Sequence, residues 1–191
     1  MNRSIKITPP SLDPVAPVAM LTLETVVFQQ GHTVPNNPRL PVLIYRDAVP
    51  PIGDTAAAFE DLFDEAGWDH GWRREWHDGI SADHLYRTGA HEALGIASGR
   101  AIIQIGGPGG DEISVVAGDC VVLPAGTGRR KVVASRDFVV VGACPAGQEP
   151  DLECGPPTEW HIARIARLPI PKSDPIAGET GLLPRIWNRA I

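Results

Sequence analysis

The sequence predicts an all-β fold, a sandwich, barrel or jelly roll of short strands in a single domain. Three observations carry that expectation. Gly 20 and Pro 19 together make about a fifth of the 191 residues, too many for a helix bundle and well suited to many tight turns. Short β-branched and apolar runs recur about every 8 to 12 residues through the second half of the chain. Turn formers bound these runs: Ser98-Gly99, Gly106 through Gly110, Ala117-Gly118-Asp119 and Pro124-Ala125-Gly126.

In chain order, residues 1–20 are Pro-rich and read as an extended arm, interrupted by Pro9, Pro10, Pro14 and Pro17. Residues 21–28 (LTLETVVF) read as the first strand. A turn-rich stretch at 31–41 precedes a short strand at 42–45. One helix is expected at about 55–67. Asp54 or Thr55 supplies a cap, Ala58, Phe59, Leu62, Phe63 and Ala66 form an apolar stripe, and Gly67 gives a stop. That stripe reads as a face packed on the barrel. Trp68, Trp72 and Trp76 have helix-like spacing, but Gly71 argues against a long helix. Further strands are expected at 85–86, 92–97, 100–105, 112–116, 120–123, 130–134 and 138–142, with a last one at 160–165. The barrel is therefore expected to occupy 21–170, followed by an extension at 171–191.

Composition excludes several classes. The net charge is −6, with no basic stripe carrying interleaved aromatics, which argues against nucleic-acid binding. No run approaches 18 apolar residues, so no membrane span is expected. The N-terminus does not read as a signal peptide. The three cysteines, Cys120, Cys144 and Cys154, are too few and wrongly spaced for a disulfide scaffold or zinc knuckle, and a cytoplasmic location is expected. Cys120, in an apolar run, reads as a core residue. The 106–110 glycines lack the Lys-Ser/Thr of a P-loop and read as a hairpin turn.

Residues 79–133 carry two spaced patterns. Gly79 is followed after five residues by Leu85-Tyr86-Arg87, then after four by Glu92, then after six by Gly99. Gly118 is followed after five residues by Pro124-Ala125-Gly126, and two residues later comes Arg129. Both patterns, in register and about 20 residues apart, resemble the two motifs of the cupin superfamily. The wider chain, including PNNPRLPVLIY at 35–45 and AGDCVVLPAG at 117–126, is similar to the YjlB-like cupins, a bacterial group of undefined role. The resemblance implies a cupin double-stranded β-helix, a jelly-roll barrel, and a homodimer.

Carried over from the superfamily, the three-His, one-Glu metal set falls on Leu85, Arg87, Glu92 and Arg129. Leucine has no lone pair and arginine stays protonated, so Glu92 alone keeps ligand chemistry. One carboxylate does not make a selective transition-metal site, and no cofactor is expected. Arg87, Arg129 and Glu92 sum to +1, the same charge as a divalent cation with one glutamate. One arginine is expected to pair with Glu92, leaving the other partly free to hold a small carboxylate or phosphate by bidentate hydrogen bonds. The competing readings stay open. In one, the three residues are only a structural ion-pair cluster. In the other, the protein is a metal-dependent cupin enzyme of the dioxygenase or isomerase type, with a divalent metal such as Fe, Mn, Ni or Zn. That reading recruits His84 and His91 beside Glu92, and strand alternation opposes it unless a bulge shifts the register. A purely structural or oligomeric role is the third.

Overall fold

The computed structural model describes residues 22–68 and 80–190. The expected arm, Trp72, Trp76 and Gly79 of the first motif lie outside the described residues. Among the described residues, ten strands and three helices follow in order. They are β1 Thr22–Val26, β2 Val42–Arg46, α1 Thr55–Glu65, β3 Leu85–Tyr86, β4 Glu92–Ser98, β5 Arg100–Ile105, β6 Asp111–Val116, β7 Cys120–Leu123, β8 Arg129–Ala134, β9 Val139–Ala143, β10 Glu153–Cys154, α2 Glu159–Arg167 and α3 Leu183–Arg189.

Two five-stranded antiparallel sheets form, ordered β1-β2-β7-β4-β9 and β10-β3-β8-β5-β6. The pairs β5–β6, β4–β7 and β3–β8 nest like rungs of one long hairpin, and successive rungs fall in opposite sheets. That rolled hairpin is the cupin jelly roll expected from the sequence. The glycines at 106–110 form its central turn, between β5 and β6. Gly106, Gly107 and Gly109 there take positive φ, which only glycine adopts freely.

Strand alternation sorts the side chains into two cores. Ile44, Leu94, Ile96, Ile103, Ile105, Val121 and Leu123 point between the sheets and fill the barrel. Leu43, Tyr45, Ala93, Cys120, Val122 and Val141 point to the other face of the first sheet. There α1 presents Phe59 and Phe63, the stripe read from sequence, capped by Asp54 accepting from the Ala57 N–H at 3.1 Å. The helix lies so close that a Cβ at Gly95 would meet the Phe59 ring at 2.5 Å, which explains a glycine in the middle of a strand.

Two features of the C-terminal third differ from the sequence expectation. The last strand expected at 160–165 is instead part of helix α2. Thr158 and His161 form a capping box, and Ile162 and Ile165 lie three apart on one face, so capping overrides the β-propensity of Trp and Ile. Residues 171–190 also complete the outer core. Leu183 and Trp187 of α3 are fully buried against the first sheet, and the Trp187 indole donates to the Pro41 carbonyl at 2.9 Å. Asp174 fixes this segment. Its buried carboxylate accepts from the Tyr45 hydroxyl at 2.5 Å and from the backbone N–H groups of Ile176, Ala177 and Leu183. Among the described residues no helix is long and apolar enough to cross a membrane.

Candidate functional site

The barrel interior turns polar at one end. Glu92 opens β4 two residues before the inward Leu94, and its register partner Leu123 is also inward. Arg129 opens β8 opposite the inward Ile105. Leu85 pairs with Arg129, so it shares that face, and Arg87 follows two residues later. The pleat thus brings together the residues the motif spacing singled out, and Arg87, Glu92 and Arg129 are 5%, 3% and 7% exposed.

Their geometry corrects one expectation. Both guanidinium groups engage Glu92, rather than one pairing and the other standing apart. Arg87 Nε donates to Glu92 Oε1 at 2.8 Å, and Arg129 Nη2 donates to the same oxygen at 2.8 Å. Arg129 Nε lies 2.7 Å from Glu92 Oε2, close enough to form an ion pair, yet it is buried and makes no aligned hydrogen bond. A lone buried carboxylate would be costly, and two cations relieve that cost. Burial pushes the Glu92 carboxyl up. The charges of Arg129 and Arg87, with their hydrogen bonds, outweigh it and hold the group below its usual range. Glu92 is therefore an anion and an unsuitable general base.

A second layer holds the arginines. Arg87 donates to the Asp151 carbonyl, while the Arg87 carbonyl accepts from the Gly126 N–H at 2.7 Å. Gly126 belongs to the Pro124-Ala125-Gly126 turn. Its φ of +93° and the Asn36 carbonyl 2.6 Å from where a Cβ would sit explain the glycine. The Asp151 carboxylate accepts from the Thr88 hydroxyl, from the N–H groups of Thr88 and Gly89 at 2.7 and 2.9 Å, and from Arg164 of α2 at 3.1 Å. These donors together keep it below the ordinary carboxylate range against the opposing effect of burial. Nothing in the sequence pointed to Asp151 or Arg164, because both lie outside the motifs and meet residues 87–89 only in the folded chain.

Cys144 was also missed as a site neighbour. It follows the Ala143↔Ala93 pair by one residue, so alternation turns it inward beside Glu92. Burial, then the Glu92 charge, pushes its thiol up to about 12, against the opposing pull of the two arginines.

The two histidines take the outer parity. His91 is 1% exposed and packs against Trp187 in the outer core, the rings tilted by 54° with centroids 4.7 Å apart. Its Nδ1 accepts from the Ala125 N–H at 3.0 Å, and burial lowers its pKa to about 4. His84 is part-buried near Arg130, and burial followed by that charge lowers its pKa. Among the described residues no group of three or more His, Cys, Asp or Glu side chains converges to hold a metal ion, so Glu92, His84 and His91 are not gathered into one donor set.

The Bacillus subtilis (strain 168) protein named "Uncharacterized protein YjlB" is 34% identical over 166 residues, covering 86% of this chain and 96% of its own. The chain belongs to the YjlB family. No protein-family model matches it. Among solved structures, procruciferin, the 11S globulin of Brassica napus, overlaps 61% of this chain and 22% of its own at 15% identity and a TM-score of 0.34. The 11S allergen of Cocos nucifera overlaps 48% and 25% at 9% identity and a TM-score of 0.32. The chain spans a quarter or less of the length of those two globulins.

Proposed function

We propose that this YjlB-family cupin binds a small carboxylate or phosphate at the polar end of its barrel, without a resident metal. The observation that carries the reading is the state of Arg129. It is 7% exposed inside the barrel and faces a carboxylate side-on with Nε and Nη2, yet Nε makes no aligned hydrogen bond. A guanidinium fork of this kind matches a planar carboxylate or phosphate edge. Glu92 already lies against that fork, and an entering anion would share Arg129 with it.

The metal that the cupin superfamily implies does not fit the donors present. Leu85 has no donor atom, and both arginines are protonated and direct N–H groups at the lone pairs of Glu92. No catalytic step is assigned, because Glu92 is held as an anion and the Cys144 thiol is held protonated. This is a binding protein in a reducing, cytoplasmic setting, and it is expected to act as a homodimer.

Titration calorimetry with acetate and with inorganic phosphate tests the reading on wild type and on Arg129→Gln. Saturable one-to-one binding of either anion that is lost in the variant is expected. Metal analysis of untagged protein belongs beside it. Near one Fe, Mn, Ni or Zn per chain, lost in Glu92→Gln, would overturn the proposal.

A further inference from the structure

A cavity lies outside the barrel, between α2 and the turn-rich loop at 35–40. It encloses about 130 Å³. Ile162, Ile165, Leu168 and Ile170 form one wall, and Leu40 belongs to the other. Gln30 and two asparagines line it, and the asparagines are hydrogen-bonded to its walls. Asn36 donates to the carbonyls of Gln29 and Gly106 and accepts from the Gly128 N–H. Asn37 donates to the Ala125 carbonyl and accepts from the N–H groups of Arg39 and Leu40. What remains is a mainly aliphatic pocket with Gln30 and one cation, the exposed Arg39, in its lining. Among the described residues the Arg39 guanidinium has no ion pair.

We infer that this cavity is a binding site for a free, short-chain aliphatic monocarboxylate, with its chain against the α2 isoleucines and its carboxylate on Arg39. Size, lining and charge each restrict the occupant. An apolar cavity of roughly 150 Å³ takes a body of about six carbons, so a cavity this size suits a short chain rather than a lipid tail. The α2 wall offers nothing to a polar body, and the polar groups left in the lining, Arg39 and Gln30, belong to the other wall. A single positive group at the opening favours a monoanion over a neutral or cationic head.

The site is distinct from the barrel cluster but mechanically joined to it. The Ile165 Cδ1 lies 3.0 Å from where a Cβ on Gly126 would sit, and the Gly126 N–H holds the Arg87 carbonyl. On its other side α2 places Arg164 on the Asp151 carboxylate. The inference does not depend on anion binding in the barrel.

The test is a chain-length series, butanoate through octanoate, followed by amide NMR shifts on the full chain. Saturable shifts are expected in residues 35–40 and 162–170, with affinity rising about fourfold per methylene until the cavity is full, then levelling. Ala166→Trp fills the cavity from an exposed position and should abolish binding while the protein stays folded. Arg39→Glu should lose about fivefold for hexanoate and gain for hexylammonium. Arg129→Gln should bind hexanoate as wild type does. The inference is overturned by shifts that instead cluster at Glu92 and Arg129, by affinity that ignores chain length, or by unchanged binding in Ala166→Trp. Loss of acetate binding to the barrel, with the hexanoate series intact, would sink only the barrel proposal.

Discussion

Lowering the pH from 8 to 5 should destabilise this protein through one buried imidazole. His91 has a folded pKa of about 4, depressed by burial, against roughly 6.5 in an unfolded chain. A histidine with a depressed folded pKa is bound by more protons when unfolded. Its neutral form therefore contributes stability that is fully present above about pH 6.5 and is lost as pH falls towards 4. The shift of about 2.5 units corresponds to about 3 kcal/mol over that whole window. By pH 5 about 2 kcal/mol of it should be gone, a large share of a stability of order 10 kcal/mol. The structural cause is specific. Nδ1 is occupied as an acceptor by the Ala125 N–H, so protonation breaks that bond and leaves a cation buried away from water. Urea denaturation of wild type and His91→Gln between pH 5 and 8 measures the effect, above the range where carboxylates titrate. Wild type should lose about 2 kcal/mol more than the variant across the interval. Parallel profiles for the two proteins would refute the reasoning, whatever the absolute cost of the substitution.

Further outcomes follow from the same geometry. Removing the central anion in Glu92→Ala leaves two buried guanidinium groups facing each other and should cost about 3–5 kcal/mol. Acetate or formate should restore part of it, raising the melting temperature of the variant more than that of wild type at matched chloride, since either ion fits the vacated clamp. Absence of that rescue would show that the clamp does not read carboxylates. Tyr45→Phe leaves the Asp174 carboxylate short of one donor and should cost about 1–3 kcal/mol, with faster proteolysis near residue 174 as the local readout. Buried Cys144 should resist iodoacetamide at pH 8 in folded protein while the exposed Cys154 reacts, which peptide mass mapping would show.

The barrel was largely legible because its signals are local. Turn glycines and prolines punctuate the strands, and period-two alternation sets Glu92 and His91 on opposite faces without any structure, while Arg129 joins Glu92 only through the motif spacing. Motif spacing then places Arg87 with them. What alternation cannot give is the sharing of one carboxylate by two arginines, since that depends on side-chain reach across two sheets. Asp151 and Arg164 were invisible for a related reason. Each meets Thr88 from 63 and 76 residues away, through contacts that no short-range pattern records. The helix at 159–167 was misread because Trp160, Ile162 and Ile165 favour strands in isolation, and the Thr158–His161 capping box decides otherwise.

Asp151 holds the site in two chemically separable ways. Its carbonyl grips Arg87, and its carboxylate closes the 88–89 loop and fastens α2. A carbonyl is common to every residue, so no substitution at 151 can delete the first grip directly, whereas any change of side chain alters the second. The position of the barrel arginine is thus insulated from the genetic code at this residue, while the attachment of α2 is exposed to it. A lineage of such proteins can therefore retune how tightly the helix is fastened, and with it the cavity beneath, one codon at a time and without first dismantling the charged centre of the barrel.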